Sequence, residues 1–138
     1  MAEEKLSMVV FSGTVDKLYP VAIMASGAVA LGQKVDIFLT FWGLMSFRKG
    51  APLQNQQVTK DYEAMAPEMM RIMQEKKVPS WLETLRTAKE IGDVRVHACA
   101  MTMDLFDLKQ ADMEDIVDDV TGVTQFLTEA QGGTTLFI

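Results

Sequence analysis

The segment Val35-Asp-Ile-Phe-Leu-Thr-Phe41 is a nearly continuous apolar run, and it decides the fold class. A short run of this kind, rich in branched and aromatic side chains, predicts a strand buried on both faces, as in a parallel sheet. Leu6–Phe11 has the same character and predicts a first strand. Between the two strands, a helix is predicted to begin at Asp16 or Lys17 and to be stopped by Gly32.

The rest of the chain repeats this alternation of strands and helices. Irregular residues 42–58 precede a helical pattern at Thr59–Lys77, which Pro67 is expected to break or restart. Ser80 and Glu83 form a capping box that opens a further helix, ended by Gly92. Additional strands are predicted at Val94–Ala98, Ile116–Val120 and Thr134–Ile138, and additional helices at Met103–Asp107 and Gly122–Ala130.

Strands that alternate with helices predict an α/β fold, because parallel neighbours need crossover connections. We predict a three-layer α/β/α architecture of the flavodoxin or Rossmann type, with a mainly parallel sheet of about five strands. Residues 1–138 are predicted to form a single domain, with an inserted loop and a Met-rich helix around residues 43–77.

The composition disfavours several classes of protein. Lys and Arg number 13 against 19 Asp and Glu, so the net charge of −6 leaves no basic stripe for nucleic acid. The longest apolar run, Val21–Leu31, is well short of the roughly 20 residues that span a bilayer. A charged start that leads directly into a strand predicts no signal peptide. One cysteine permits no internal disulfide and suits a reducing compartment, so we expect a cytoplasmic protein.

Parallel strands place their following loops at one edge of the sheet, where ligands and reactive groups gather in open α/β folds. The loops predicted to share that edge are Ser12–Thr14, Thr40–Leu44, Cys99–Met103 and Thr121–Gly122. Cys99, the only cysteine, therefore lies at the edge where chemistry is expected. This placement depends only on the order of the strands along the chain.

Cys99 has two interpretations. A cysteine at a strand end is often an inert small hydrophobe of the core. Alternatively, Thr102 caps a helix that begins at Met103, so that backbone amides and a helix dipole favour the reactive thiolate. No second cysteine is present to resolve a sulfenic acid within the chain, which disfavours a dithiol oxidoreductase. A lone activated thiol can carry a transferable group and pass it to another protein's thiol.

His97, the only histidine, lies on the same strand face as Cys99. Side chains two residues apart on one strand are about 6 to 7 Å apart, too far for a direct hydrogen bond. We therefore interpret His97 as structural. One histidine, one cysteine and scattered carboxylates give no metal-ligand spacing, so no metal and no cofactor are expected.

Three further features have both a structural and a functional interpretation. Ser12-Gly13-Thr14 before a helix is a simple turn or an anion cradle, and it matches neither common nucleotide-binding pattern. Thr40–Leu44 supplies two aromatic residues that cover the sheet edge or shield the sulfur from water. Methionines 65, 69 and 73 form a helical stripe that belongs to the core or, equally, to a subunit interface or lid.

Several short segments, taken in order along the chain, carry a resemblance to a known family. They are Phe11-Ser-Gly-Thr14 with Asp16-Lys17, Thr40-Phe-Trp-Gly-Leu44, Cys99-x-Met101-Thr102-Met103-Asp104, Gly122-Val123 with Phe126-Leu127, and Leu136-Phe-Ile138. Together they resemble the DsrE/DsrF-like sulfur-carrier family, specifically its small stand-alone branch sometimes labelled peroxiredoxin-like. The resemblance spans nearly the whole chain and is loosest over Phe47–Lys60.

This resemblance implies a three-layer fold, a homo-oligomer (commonly a trimer or hexamer) and no organic cofactor. In the family a cysteine relays sulfane sulfur as a persulfide, or holds a thiosulfonate, and the motif match gives this role to Cys99. The chain has Thr102 where the family often has Ser, and Asp107 where Gly is common. It lacks the second reactive cysteine of some relatives, which excludes a two-thiol mechanism.

The preferred hypothesis is a sulfur-carrier or sulfurtransferase-like protein whose partners are donor and acceptor proteins with reactive thiols. Two alternatives stay open: a non-catalytic oligomeric binding module that uses the Met-rich helix and Trp42, and an anion- or nucleotide-binding protein. Beside Cys99, the candidate substrate-binding residues are Ser12, Gly13, Thr14, Thr40, Trp42, Met101 and Met103.

Overall fold

The computed structural model describes residues 4–138, which form five strands and seven α-helices with two short 3₁₀ turns. The strands are β1 (Lys5–Val10), β2 (Lys34–Leu39), β3 (Val94–Cys99), β4 (Asp119–Thr121) and β5 (Thr134–Phe137). The helices are α1 (Val15–Ala30), α2 (Phe41–Met45), α3 (Ala51–Gln54), α4 (Ala66–Glu75), α5 (Trp81–Ile91), α6 (Ala100–Leu105) and α7 (Val123–Ala130). The 3₁₀ turns are Lys60–Met65 and Gln110–Asp112.

All strand pairs are parallel, in the order β4-β3-β2-β1-β5. Helices α1 and α5 pack against each other on one face of the sheet. Helix α7 lies on the other face, where Phe126 stacks on Phe38 with ring centroids 4.8 Å apart. The predicted α/β fold with a parallel sheet of about five strands is therefore confirmed.

The two faces of the sheet differ sharply in chemistry. The face toward α1 and α5, which we call the apolar face, carries residues such as Met8, Ile37 and Val96, all fully buried. The opposite face, which we call the polar face, carries Asp36 and His97 in the alternate positions. Because strand side chains alternate between faces, one register places a hydrocarbon core on one side and a charged cluster on the other.

The capping box confirms the predicted start of α5. The Ser80 side chain accepts a hydrogen bond from the Glu83 backbone N–H at 3.1 Å, and the Ser80 N–H donates to the Glu83 carboxylate at 3.2 Å. These bonds satisfy two amides that a helix start otherwise leaves unpaired. The helix ends before Gly92, as the sequence predicts.

Several predicted element boundaries are wrong, and each error has a local cause. Strand β2 ends at Leu39, and Phe41 begins helix α2 rather than closing the strand. Strand β4 covers Asp119–Thr121 rather than Ile116–Val120, because the apolar residues before it are buried without being in the ladder. Helix α6 begins at Ala100 rather than at Met103.

The predicted helix at Thr59–Lys77 is divided in two. A 3₁₀ turn over Lys60–Met65 precedes α4, and Pro67 lies in the first turn of α4. That position suits proline because the first helical amides have no intrahelical acceptor. Within residues 4–138, none of the helices combines the length and the hydropathy that crossing a bilayer requires.

Candidate active site

Cys99 is the last residue of β3 and the N-cap residue of α6, at the carboxyl edge of the sheet. Its side chain is 6% exposed and belongs to the polar face, in the same cleft as Phe38 from the neighbouring strand. The expectation that Thr102 caps a helix starting at Met103 is wrong. The helix begins earlier, so Cys99 is the cap residue and Thr102 lies inside the first turn.

Burial and four hydrogen-bond donors act in opposite directions on the pKa of the Cys99 thiol. Burial alone raises the pKa of a thiol, because the charged form loses its water. At Cys99 the Thr102 hydroxyl and N–H, the Thr40 hydroxyl and the Met101 N–H outweigh burial and hold the thiol pKa below its ordinary value of 9.0. This environment enriches the thiolate, which is the nucleophilic form of cysteine.

The two threonines are held together by the loop that follows β2. Their hydroxyl oxygens are 3.2 Å apart, and the Phe41 N–H donates to the Thr102 oxygen at 3.2 Å. Phe41 adopts a left-handed backbone conformation, with φ of 45°, which bulky residues rarely adopt. The Phe41 N–H occupies one lone pair of the Thr102 hydroxyl oxygen. The hydroxyl proton of Thr102 is therefore free to be donated to Thr40 or to the thiolate.

A cleft of about 500 Å³ opens beside Cys99, between the sheet and α7. Val123, Phe126 and Leu127 come from α7, and their spacing places them on one face of that helix. Met101, which is 61% exposed, borders the same cleft. We call this space the Cys99 cleft.

Four of the predicted substrate-binding residues lie in a different cleft. Ser12, Gly13, Thr14 and Trp42 border a separate space of about 510 Å³ that Arg48 also lines. Trp42 is 54% exposed and its ring lies beside that of Phe106, with centroids 6.3 Å apart. The structure therefore does not bring these four residues together with the Cys99 cleft.

The turn at Gly13 has a structural explanation. A Cβ on Gly13 would overlap the backbone carbonyl of Trp42, so the close approach of two loops requires glycine there. The N–H of Val15, at the start of α1, donates to the Gln57 carbonyl at 2.7 Å. The Asp16 carboxylate in turn accepts from the Thr59 N–H at 3.0 Å. The chain's own oxygen atoms thus occupy part of the helix start where an anion would bind.

The remaining predicted residues divide between the cleft and the core. Thr40 and Met101 line the Cys99 cleft. Met103 is 3% exposed and belongs to the hydrophobic core. The amides that favour the thiolate belong to Met101 and Thr102, which lie two residues and one residue before Met103.

His97 forms the centre of a charged network on the polar face. Its Nδ1 lies 2.7 Å from Asp119 and its Nε2 lies 2.7 Å from Asp36. The hydrogen bond to Asp36 is the largest influence, opposed by burial and supported by Asp119, and together they raise the pKa of His97 to about 9. A histidine with both nitrogens engaged is not a base for Cys99, in agreement with its structural interpretation.

The same network contains the candidate metal ligands of residues 4–138. Asp36, His97 and Glu129 bring potential ligand atoms within 4.8 Å of one another. Lys5, however, forms an ion pair with Asp36 and donates to the backbone carbonyl of Glu129. A protonated histidine cannot ligate a metal, and an ammonium group beside the carboxylates repels one. These residues therefore fit an internal ion pair better than a metal ion.

A family model described as DsrE/DsrF/DrsH-like matches residues 2–137. The chain belongs to this family. Among relatives of this DsrE-like chain, uncharacterized protein YrkE of Bacillus subtilis strain 168 is 31% identical over 157 aligned residues, covering 98% of this chain and 97% of YrkE. Sulfur carrier protein DsrE2 of Allochromatium vinosum is 31% identical over 139 residues, covering 86% of this chain and 87% of DsrE2.

Two solved structures share the fold of this DsrE-like chain. The YchN protein from E. coli aligns with a TM-score of 0.58 at 15% identity, covering 97% of each chain. Protein MTH1491 from Methanobacterium thermoautotrophicum, a protein of unknown function, aligns with a TM-score of 0.54 at 13% identity, covering 99% of this chain and all of that one. At these identities the likeness concerns the fold alone.

Sequence reasoning missed two contributions to the Cys99 cleft. Thr102 was expected as a helix cap, whereas its hydroxyl and N–H act on the thiol itself. The wall formed by α7 was not predicted, although the Thr121–Gly122 loop that precedes this helix was expected at the same edge. A signal for it was present, because Gly122-Val123 and Phe126-Leu127 are among the segments that carry the family resemblance.

Proposed function

We propose that the protein is a sulfur carrier that relays sulfane sulfur on the single thiol of Cys99. The Cys99 thiolate attacks the outer sulfur of a donor persulfide, R–S–SH, so that one S–S bond forms and one breaks. Cys99 then holds the outer sulfur as a persulfide and the donor leaves as a thiolate. An acceptor thiolate repeats the exchange, takes the sulfur and restores the Cys99 thiolate.

The observation that carries this proposal is the set of donors around Cys99. The hydroxyl groups of Thr40 and Thr102, with two backbone amides, favour an anionic sulfur at the end of a strand. The same donors stabilise the thiolate that leaves when the sulfur is passed on. The relative named as a sulfur carrier protein, at 31% identity, supports the same role for this chain.

The proposal includes the setting of the reaction. The donor and acceptor are proteins with reactive thiols, and the reaction takes place in the cytoplasm, where a lone thiol stays reduced. The chain acts as one domain and assembles as a homo-oligomer, a trimer or a hexamer. Exposed Phe137 supports an assembly, because it is a large apolar side chain on the edge strand β5.

Mass spectrometry of the intact chain tests the proposal. After incubation with polysulfide, we expect the wild-type protein to gain whole sulfur atoms, and we expect the gain to disappear on mixing with an acceptor thiol protein. Cys99→Ser is a clean control, because the chain has no other cysteine. An unmodified wild-type protein, or equal modification of Cys99→Ser, would exclude the carrier role.

A second candidate function is supported by the surface of α4. No residue of this helix is buried, and Met65, Met69 and Met73 line an apolar groove of about 420 Å³. In this alternative the protein is a non-catalytic binding module and Cys99 is inert. The rate of alkylation of the folded protein separates the two functions: a thiol slower than free cysteine at neutral pH favours the binding module.

A further inference from the structure

The Cys99 cleft is almost entirely hydrocarbon. Helix α7 contributes Val123, Phe126 and Leu127, and the strands contribute Val9 and Phe38. Among the described residues that line it, there is no lysine, arginine or histidine. The volume of about 500 Å³ lies within the roughly 300–1,000 Å³ that is usual for small-molecule sites.

The charges around the cleft do not attract anions either. The imidazolium of His97 lies on the same face of the sheet, but the carboxylates of Asp36 and Asp119 are bound to both of its nitrogens. The chain as a whole carries a net charge of −6. A sulfur oxyanion entering the cleft would lose water without gaining a cationic partner, which is unfavourable.

We propose that the Cys99 cleft selects uncharged sulfane sulfur, meaning rings or chains of sulfur atoms that carry no oxygen, over sulfur oxyanions. This inference rests on the proposed carrier function and names its substrate class. It assigns the cargo of Cys99 to sulfane sulfur rather than to a thiosulfonate, since the oxygen atoms of a thiosulfonate would lose their water among hydrocarbon side chains.

The reaction with the simplest uncharged donor, cyclo-octasulfur, is balanced without an oxidant. The Cys99 thiolate attacks one ring sulfur, one S–S bond forms and one ring S–S bond breaks. The negative charge passes to the terminal sulfur of the opened chain, which stays attached to Cys99. An acceptor thiolate shortens that chain by the same exchange, so no electrons are added or removed.

Competing donors test the selectivity. The rate of modification of the full chain is measured with dispersed cyclo-octasulfur and with tetrathionate, and each rate is divided by that of free cysteine with the same donor. We expect the normalised rate to be higher for cyclo-octasulfur. The tetrathionate rate should rise with added salt, because salt screens the repulsion between a dianion and an acidic protein.

Charge substitutions at the cleft give a second measurement. Leu127→Lys places a cation at an exposed position of the wall and should raise the tetrathionate rate about three-fold, as expected for a unit charge near a dianion in water. Val123→Lys repeats the test from another exposed wall position. Ile91→Lys makes the same charge change at the exposed end of α5 and should leave the rate unchanged.

Each outcome is decisive for one of the two proposals. A normalised tetrathionate rate equal to or above that of cyclo-octasulfur overturns the selectivity, as does the absence of any response to both cleft lysines. If neither these donors nor polysulfide adds sulfur to Cys99, the carrier function itself is wrong. A preference for cyclo-octasulfur that the two cleft lysines weaken, and Ile91→Lys does not, supports the inference.

Discussion

The two faces of the sheet are built from the same three central strands but hold them together in different ways. On the apolar face, Met8, Ile37 and Val96 pack under α1 and α5 with hydrocarbon contacts alone. On the polar face, Asp36 and His97 form a charged network across the strands, and the Cys99 cleft lies at its edge. The first face is a conventional core, whereas the second combines an ion-pair network with the proposed carrier site.

This difference shows why the site lies under α7. A short helix of eight residues covers the polar face, so part of that face is left open as a cleft. The opposite face carries the sixteen-residue α1 together with α5. Cys99 therefore lies on the side of the sheet that the shorter helix covers.

The largest expected effect is the loss of unfolding free energy caused by Asp36→Ala. This substitution leaves the His97 imidazolium and the Lys5 ammonium without their shared carboxylate, and removing one partner of a buried ion pair costs about 3–5 kcal/mol of unfolding free energy. Its neighbour Ile37 points to the apolar face, where Ile37→Val removes one methylene and should cost about 1 kcal/mol. Urea denaturation of the two variants measures both. An equal cost would mean that the charged network does not stabilise the fold.

The dependence of stability on pH should show the same network. Because the pKa of His97 is raised from 6.5 to about 9, its stabilisation is complete below pH 6.5 and is lost as the pH rises through about 9. The loss should reach up to about 3 kcal/mol. Asp36 and Asp119 have lowered pKa values, so their contribution to the unfolding free energy is lost in acid, as the pH falls below 3.8.

Denaturant titrations in the Cys99→Ser background measure this profile without the titration of the thiol. In that background, His97→Gln should remove the decline between pH 6.5 and 9. A decline of the same size in His97→Gln would assign the alkaline loss of stability to other groups.

The most local effect, on the reactivity of the thiol, is expected from Thr102→Val. This isosteric change removes the hydroxyl that favours the Cys99 thiolate, and a hydrogen bond to a charged group is worth about 1.5 kcal/mol. Alkylation by iodoacetamide at neutral pH should slow by about ten-fold, because less thiolate is present. The pH at which the alkylation rate reaches half its maximum should move upward.

Thr121→Val is the matched control for this prediction. Thr121 is paired with Cys99 across the β3–β4 ladder, but its hydroxyl donates to Asp119 at 2.7 Å. We expect its alkylation profile to match that of the wild-type protein. If the two variants slow equally, the effect does not arise from the hydroxyl beside the sulfur.

The fold could be predicted from the sequence because its signals are local. The capping box at Ser80 and the apolar runs of β1 and β2 are properties of neighbouring residues, and each defines its element. The interpretation of Val35–Phe41 as an apolar strand did not account for the carboxylate of Asp36. That carboxylate is paired with a histidine 61 residues away, and nothing local to the strand indicates such a partner.

The site could be predicted only in part, for a similar reason. Cys99 follows from strand order, because every parallel strand ends at the same edge. Sharing an edge does not mean sharing a cleft, however, and Ser12, Gly13, Thr14 and Trp42 lie in the neighbouring space. The contacts that separate the two clefts join distant loops, among them the approach of Gly13 to Trp42.

The left-handed backbone of Phe41 has a consequence for protein engineering. Such a conformation costs a residue with a side chain roughly 1–2 kcal/mol, and glycine adopts it freely. A thermostability screen would therefore favour Phe41→Gly if this relief exceeds the cost of losing the ring contacts with Phe11 and Trp42. Glycine at this position would also make the loop that holds Thr40 against Thr102 more flexible, and we expect the rate of reaction of the Cys99 thiol to fall as a result. At this position, selection for heat resistance and selection for reactivity should enrich different residues.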